Sequence, residues 1–249
     1  MLSLLYLIFM SLIAGILTGI VGMAAVTLYP VLLSVGVMPV TANATITVSM
    51  IAGGMGTVLS SLRELKNHWK QAIQIAVVNT IGGVLGAWIL IHSSNRGFQK
   101  VVPFFILMAG IMILAPKKKP LNTKSKNRRT PFLGWIAIGL VGIYIGYFGA
   151  GAGLLMIAVL SHLVDDDYAI YNAMRNFSAF MNNSVSAIMF TFMLPIDWQA
   201  VIPLIIGLFV GGYIGPIIVR YIPSKVIEVA VGVFAIGLSF FLGYQAFIE

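Results

Sequence analysis

The chain has 249 residues, 59% of them hydrophobic and 9% charged, with 15 Lys/Arg against 7 Asp/Glu for a net charge of +8, and its mean hydropathy is +1.00. Soluble domains run near about 25% charged and about 45–50% apolar, so this composition excludes a soluble enzyme and a disordered chain. Charge-free runs at 1–62, 71–95, 130–164, 176–196 and 198–219 reach the roughly 20 residues of a helical span, which excludes a single-anchor protein and a barrel of short alternating strands.

Eight hydrophobic segments are predicted: about 2–37, 40–62, 70–92 and 98–115, then 132–163, 168–194, 198–219 and 224–247. The N-terminus lacks a basic n-region, and its apolar run is longer than a signal sequence, so it reads as a retained first span. The first segment of each half is too long for one span. Each is also interrupted by glycine, at Gly19-Ile-Val-Gly22 with Pro30 beyond, and at Gly146-Tyr-Phe-Gly-Ala-Gly-Ala-Gly153. Glycine frees the backbone to bend, and irregular backbone at membrane depth survives only inside protein or beside a wet cavity. Both segments are therefore expected to be broken helices.

Between the halves lies Lys117 to Arg129, which holds 7 of the 15 basic residues and no acid. Between two spans such an excess marks a cytoplasmic loop. Nucleic-acid binding would call for a supporting fold or aromatic interleaving, and neither accompanies the charge. The halves also repeat. A shift of 127 places Gly15, Gly19 and Gly22 on Gly142, Gly146 and Gly149, and a shift of 129 places Trp69, Gly82, Gly83 and Gly86 on Trp198, Gly211, Gly212 and Gly215.

The expectation is an all-α polytopic membrane protein, with a first repeat over 1–115, a cytoplasmic linker over 116–130 and a second repeat over 131–249. One crossing per broken segment gives about eight transmembrane helices, with both termini on the linker side and the basic residues outside the spans divided 10 to 4 in its favour, so charge counting does not decide the number. Two crossings per broken segment give ten spans and inverted repeats, with the basic residues outside the spans divided 12 to 2 in favour of the linker side. Eight is preferred, because residues 23–37 reach only about 22 Å as a helix, short of a hydrocarbon core of about 30 Å.

No close carboxylate pair, His-Glu-x-x-His or Gly-x-Ser-x-Gly occurs within the spans, and cysteine is absent. No catalysis, cofactor or metal site is expected. His68, His92 and His162 stand at segment ends, where interfacial solvation accounts for them. An intramembrane charge is a functional hypothesis by default, and Arg175 is the one basic residue within a long apolar segment. Asn172, Arg175 and Asn176 are helical neighbours, with Asn182 and Asn183 two turns on. A guanidinium among amides suits an oxyanion; the alternative is an arginine that snorkels to the headgroups or pairs with Asp165 to Asp167. A helix restarting after Gly149, Gly151 and Gly153 would aim free amides and its positive dipole end into the protein. The first-half counterparts are Gly22 within Gly19 to Ala25, then Thr27, and Thr41, Asn43, Thr45, Thr47 and Ser49 on the next segment. Small residues at this spacing also serve plain packing, the role assigned to Gly82, Gly83, Gly86 and to Gly211, Gly212, Gly215.

The paired glycine motifs, the polar Ala42-Asn-Ala-Thr45 and Asn172-Ala-Met-Arg-Asn176 segments that follow them, the Trp69 beyond and the two-times-four layout resemble the TauE/SafE family of membrane permeases, also called sulfite exporters. The likeness covers essentially the whole chain. It implies transport of small sulfur-containing or organic anions such as sulfite, sulfonates or sulfoacetate, usually outward. The first-half motif Gly22-Met-Ala-Ala-Val is poorer in glycine than the family's run, and the second half matches better.

The expected partners are thus a small anionic substrate and the lipid bilayer, with no nucleic acid and with a homo-oligomer as an open alternative. The basic linker suits a bacterial inner membrane. For proton coupling the candidates are Glu228, which stands three residues from Lys225, and Asp197 and His92 at span edges; sodium coupling through backbone carbonyls would leave no sequence trace. A secondary carrier leads, with a passive anion channel and a non-transporting sensor or assembly module as the alternatives.

Overall fold

Local sequence fixes where several helices begin and end. Pro39 opens one at its first turn, where its missing N–H has no intrahelical partner to lose. Asp197 caps another by accepting the Ala200 N–H at 3.1 Å. The computed structural model describes residues 2–114, 132–164 and 167–221, with isolated positions between 229 and 244. The basic linker, most of the 224–247 segment, Asp165, Asp166, Lys225 and Glu228 lie outside the described residues.

Among the described residues the elements are ten helices and no strand: α1 (Leu2–Val21), α2 (Ala24–Ser34), α3 (Pro39–Ser60), α4 (Leu62–Leu65), α5 (Trp69–Ile91), α6 (Asn95–Leu114), α7 (Phe132–Tyr147), α8 (Ala152–Leu163), α9 (Tyr168–Met193) and α10 (Trp198–Val219). Four of them, α1, α3, α5 and α10, are long and apolar enough to cross a membrane. The polarity gradient is the reverse of that in a water-soluble domain. Ile73, Val77, Ile81, Leu85, Ile202 and Ile206 are exposed, while Asn43, Ser49, Asn79, Arg175 and Asn182 are buried. Polar groups thus gather inside and leave an apolar face for lipid.

Helix directions follow from which residues meet. Thr45 bonds the start of α10 at Asp197, Gly53 packs on Leu208, and the Ser60 carbonyl takes the Arg220 guanidinium at 2.7 Å, so α3 and α10 run the same way. Ser11 reaches Pro203 and Gly19 packs on Gly215, so α1 runs with them. In the other direction, Val48 clusters with Ala187, Gly54 packs on Phe180, and Ser61 lies beside Asn176; α9 is therefore antiparallel to α3. Asn79 meets Gly142 and Gly83 meets Gly146 and Asn182, so α5 and α7 run with α9.

The two breaks turn the chain back, contrary to the expectation that each broken segment passes once in one direction. The end of α1 lies at the start of α9, where Tyr168 bonds the Ile20 carbonyl. Tyr29, partway along α2, stacks edge-on against Phe98 near the start of α6, beside the start of α3, where Asn95 accepts the Val40 N–H. Likewise α7 ends beside Asn43, whereas α8 ends among Leu65, Ala72 and Ile75 at the start of α5. Both α2 and α8 therefore run against the helix that precedes them. The objection that 23–37 is too short for a full span stands for helix length, since α2 has 11 residues and α8 has 12. The four residues between α2 and α3 help to complete the return.

The halves interlock. A methyl group on Gly15 would strike Gly212 and the Leu208 carbonyl, and one on Gly142 would strike the Asn79 carbonyl. These are the same contact under the two sequence shifts, 15 to 142 and 79 to 208. Each half's first helix thus packs on the other half's tryptophan-led helix. Gly82, Gly83, Gly86, Gly211, Gly212 and Gly215 all sit where a Cβ would meet neighbouring backbone or Asn182, the close approach that small residues permit between membrane helices.

Candidate functional site

Both breaks close in the same way. The Gly22 N–H reaches back to the Leu17 carbonyl at 3.0 Å, and the Gly149 N–H to the equivalent Tyr144 carbonyl at 2.9 Å, the six-residue closure of a helix that ends at glycine. Gly22, Gly149 and Gly151 have φ of +77°, +72° and +71°, the left-handed region that favours glycine. The Tyr144 hydroxyl braces the second break through the Ala150 carbonyl.

The last turn of each broken helix presents carbonyls for which the opposite half supplies donors; of these, the Thr18 carbonyl also keeps the Gly22 N–H at 2.9 Å. Asn172 donates to the Gly19 carbonyl at 3.1 Å, and Arg175 donates from Nη1 to the Thr18 carbonyl at 3.0 Å and from Nη2 to Gly19 and to the Asn172 amide oxygen. Asn43, which the 129 shift places on Asn172, donates to the Tyr147 carbonyl at 3.0 Å. Arg175 is 2% exposed, so it does not snorkel, and no described carboxylate lies within ion-pair distance of it. Its cation instead faces the negative end of the α1 dipole.

A cavity of about 60 Å³ lies between the breaks, room for roughly four waters or one small oxyanion. Its lining obeys the repeat: Thr18 and Ile145, Gly22 and Gly149, Ala25 and Ala152, Ile46 and Arg175, Thr47 and Asn176, Gly54 and Asn183 are related by the 127 or 129 shift. Residues equated by the two sequence shifts therefore face each other across the cavity. The first turns of α2 (Ala24, Ala25) and α8 (Ala152, Gly153) form part of its wall, and neither helix start carries a side-chain cap. Each contributes roughly half a positive charge beside the full charge of Arg175, and no lining residue is acidic.

Of the residues expected at the site, Gly22, Asn43, Gly149, Gly153, Arg175, Asn176 and Asn183 line this cavity. Four others do not. Asn172 is spent on α1, and Gly151 is the left-handed residue at which α8 begins. Asn182 donates to the Asn79 and Gly142 carbonyls at 2.9 and 3.3 Å and so ties α9 to α5 and α7. Thr45 points to α10, where it accepts the Asp197 N–H. Asp197 itself caps α10, and His92 is exposed with its ring nitrogen on the Trp88 carbonyl.

The wall also includes Asn79, Thr18, Thr57 and Phe180, which sequence reasoning did not single out. Asn79 had a signal, as an amide near the middle of the apolar helix α5. Its Nδ2 donates to Ser178, and its Oδ1 has no partner, nor do Asn43 Oδ1, Asn176 Oδ1 or Arg175 Nε. Buried polar atoms are rarely left unpaired; Asn79 Oδ1 stands against Gly142 on α7, and the other three belong to residues that line the cavity, which suits it to a polar ligand.

A family model described as "Sulfite exporter TauE/SafE" matches residues 7–242. Among curated proteins, the chain is 24% identical over 221 residues to a "Probable membrane transporter protein ORF9" of a Sinorhizobium species, covering 88% of this chain and 83% of the relative. It is 24% identical over 205 residues to a "Probable membrane transporter protein" of Haemophilus influenzae, covering 82% and 80%. It is also 24% identical over 226 residues to the "Probable membrane transporter protein YfcA" of Escherichia coli K12, covering 89% and 82%.

Proposed function

The chain belongs to the sulfite exporter TauE/SafE family, and on that footing we propose that it is a secondary carrier for small anions, sulfur oxyanions or organic sulfonates, bound in the cavity between the two helix breaks. The observation that carries this reading is the convergence of two uncapped helix N-termini and one buried guanidinium on a cavity whose lining has no acid. Positive dipole ends at a break favour an anion, and Arg175 Nε is a buried donor without a partner. Asn176 and Asn183 would orient the substrate.

The same proposal fixes a topology: inverted repeats over 1–115 and 131–249, ten passes of which α2 and α8 are short, and a cytoplasmic linker over 116–130. The antiparallel pairing of α3 with α9 supports this over eight passes, and the linker side is cytoplasmic because it carries the excess of basic residues. The termini then lie opposite the linker, in a bacterial inner membrane.

The test is a screen of sulfite, sulfate, sulfoacetate and taurine for thermal stabilisation of the purified protein, followed by flux of the best binder in proteoliposomes. Saturable, gradient-driven uphill flux is expected. Flux that only dissipates its own gradient would make the protein a channel, and no stabilisation by any of these anions would overturn the anion site.

A further inference from the structure

The two breaks are provided for unequally. At the α1 end a fixed cation, Arg175, answers the helix carbonyls and the negative dipole pole. At the α7 end the Tyr147 carbonyl takes the neutral Asn43 amide, and the position that the 129 shift equates with Arg175 is Ile46, which has no donor and no charge. Asn43 is 1% exposed, lines the cavity, and leaves its Oδ1 without a partner. The orientation of that amide is set, because Nδ2 faces a carbonyl that can only accept. One turn on, Thr47 also lines the cavity; its hydroxyl donates to the Asn43 carbonyl at 3.0 Å, which keeps the oxygen's lone pairs available to accept.

We propose that a monovalent alkali cation binds at the C-terminal end of α7, held by Asn43 Oδ1, the Thr47 hydroxyl oxygen and the carbonyls of the helix end, in the position that the 129 shift equates with the Arg175 guanidinium. Neutral oxygens and a helix C-terminus are the ligands such ions take in broken-helix carriers, and hard cations prefer oxygen. The site deepens the anion reading and rests on it for its role. An anion drawn to Arg175 and a cation held at α7 occupy opposite ends of one cavity, so loading both leaves less uncompensated charge to carry across hydrocarbon than loading the anion alone.

The purified full-length chain in detergent is melted in sodium, potassium, lithium or N-methylglucamine chloride at equal ionic strength. One alkali cation is expected to raise Tm by about 5 °C near saturation relative to N-methylglucamine. Thr47→Val, which keeps the shape and removes the oxygen, should raise the half-saturating cation concentration by about tenfold. Ile46→Arg should melt independently of the cation, because a tethered guanidinium then fills the position. Equal melting of the natural chain in all four salts overturns the site, as does a Thr47→Val protein with an unchanged response. Anion flux in proteoliposomes separates the two readings. Flux at full rate in N-methylglucamine overturns cation coupling and leaves the anion carrier standing, whereas a cation-selective shift without transport of any sulfur oxyanion or sulfonate supports the site and overturns the anion reading.

Discussion

Gly22 and Gly153 touch backbone to backbone: a methyl group on Gly22 would stand 2.6 Å from the Gly153 Cα, and one on Gly153 would stand 2.5 Å from the Gly22 Cα. The break after α1 and the start of α8 are thereby held together at the cavity wall, with the Arg175 guanidinium against Gly22. Gly22→Ala meets both a left-handed φ and an occupied space, and should cost about 2–4 kcal/mol. Gly139→Ala is the control, because its methyl group would meet Val78 at an ordinary 3.8 Å; it should leave stability unchanged or slightly raised. Thermal melts of the purified variants check both, and equal melting of Gly22→Ala and the natural chain would remove the contact from the account.

Arg175 has a structural duty as well as a place on the cavity wall. Arg175→Ala leaves the Thr18 and Gly19 carbonyls without their charged donor and should cost about 2 kcal/mol or more, given about 1.5–3 kcal/mol for a hydrogen bond to a charged group. Anion flux should fall to background. Arg175→Lys keeps the charge but loses the planar fork that reaches two carbonyls and an amide, so it should recover part of the stability and little of the flux. Full flux in Arg175→Ala would sink the proposed contact with substrate.

Adjacent amides on α9 should behave differently. Asn182→Ala removes the tie to the Asn79 and Gly142 carbonyls and should lower stability by about 0.6 kcal/mol, the average for interhelical hydrogen bonds in membranes, and by no more than about 1.7 kcal/mol for each, with KM for the anion unchanged. Asn183→Ala opens the cavity wall and should raise KM with a smaller effect on melting. Flux kinetics alongside thermal melts distinguish the two, and the reverse pattern would exchange their roles.

Tyr29 packs edge-on against Phe98 and Phe148 at 6.0 and 5.4 Å, but its buried hydroxyl has no partner. Tyr29→Phe keeps the ring contacts and removes an unsatisfied polar group, which is costly to bury. Its Tm should equal or exceed that of the natural chain. A marked loss would mean that the hydroxyl is bonded in the working protein, for example to a water in the break.

Much of this protein was legible in the order of its residues. Few charges and long apolar runs give a membrane protein, because hydrocarbon leaves no other use for such a sequence. Gly22, Gly149 and Gly151 located the breaks, since few other residues tolerate the left-handed turn. The shifts of 127 and 129 paired glycines that make matching contacts, Gly15 at Leu208 and Gly142 at Asn79, and Arg175 stood out as a charge with no loop to hold it. Tertiary structure decided the rest. Residue equivalence between the halves carries no direction; only contacts such as Gly54 on Phe180 and Thr45 on Asp197 establish that α9 runs against α3 while α10 runs with it. Helical spacing grouped Asn172, Asn176, Asn182 and Asn183, yet α9 is enclosed by α1, α3, α5 and α7, so a polar residue on almost any of its faces finds a buried partner. Which amide meets a carbonyl and which meets the cavity depends on neighbours more than a hundred residues away, and apolar periodicity, which reports only the boundary with lipid, holds no record of them.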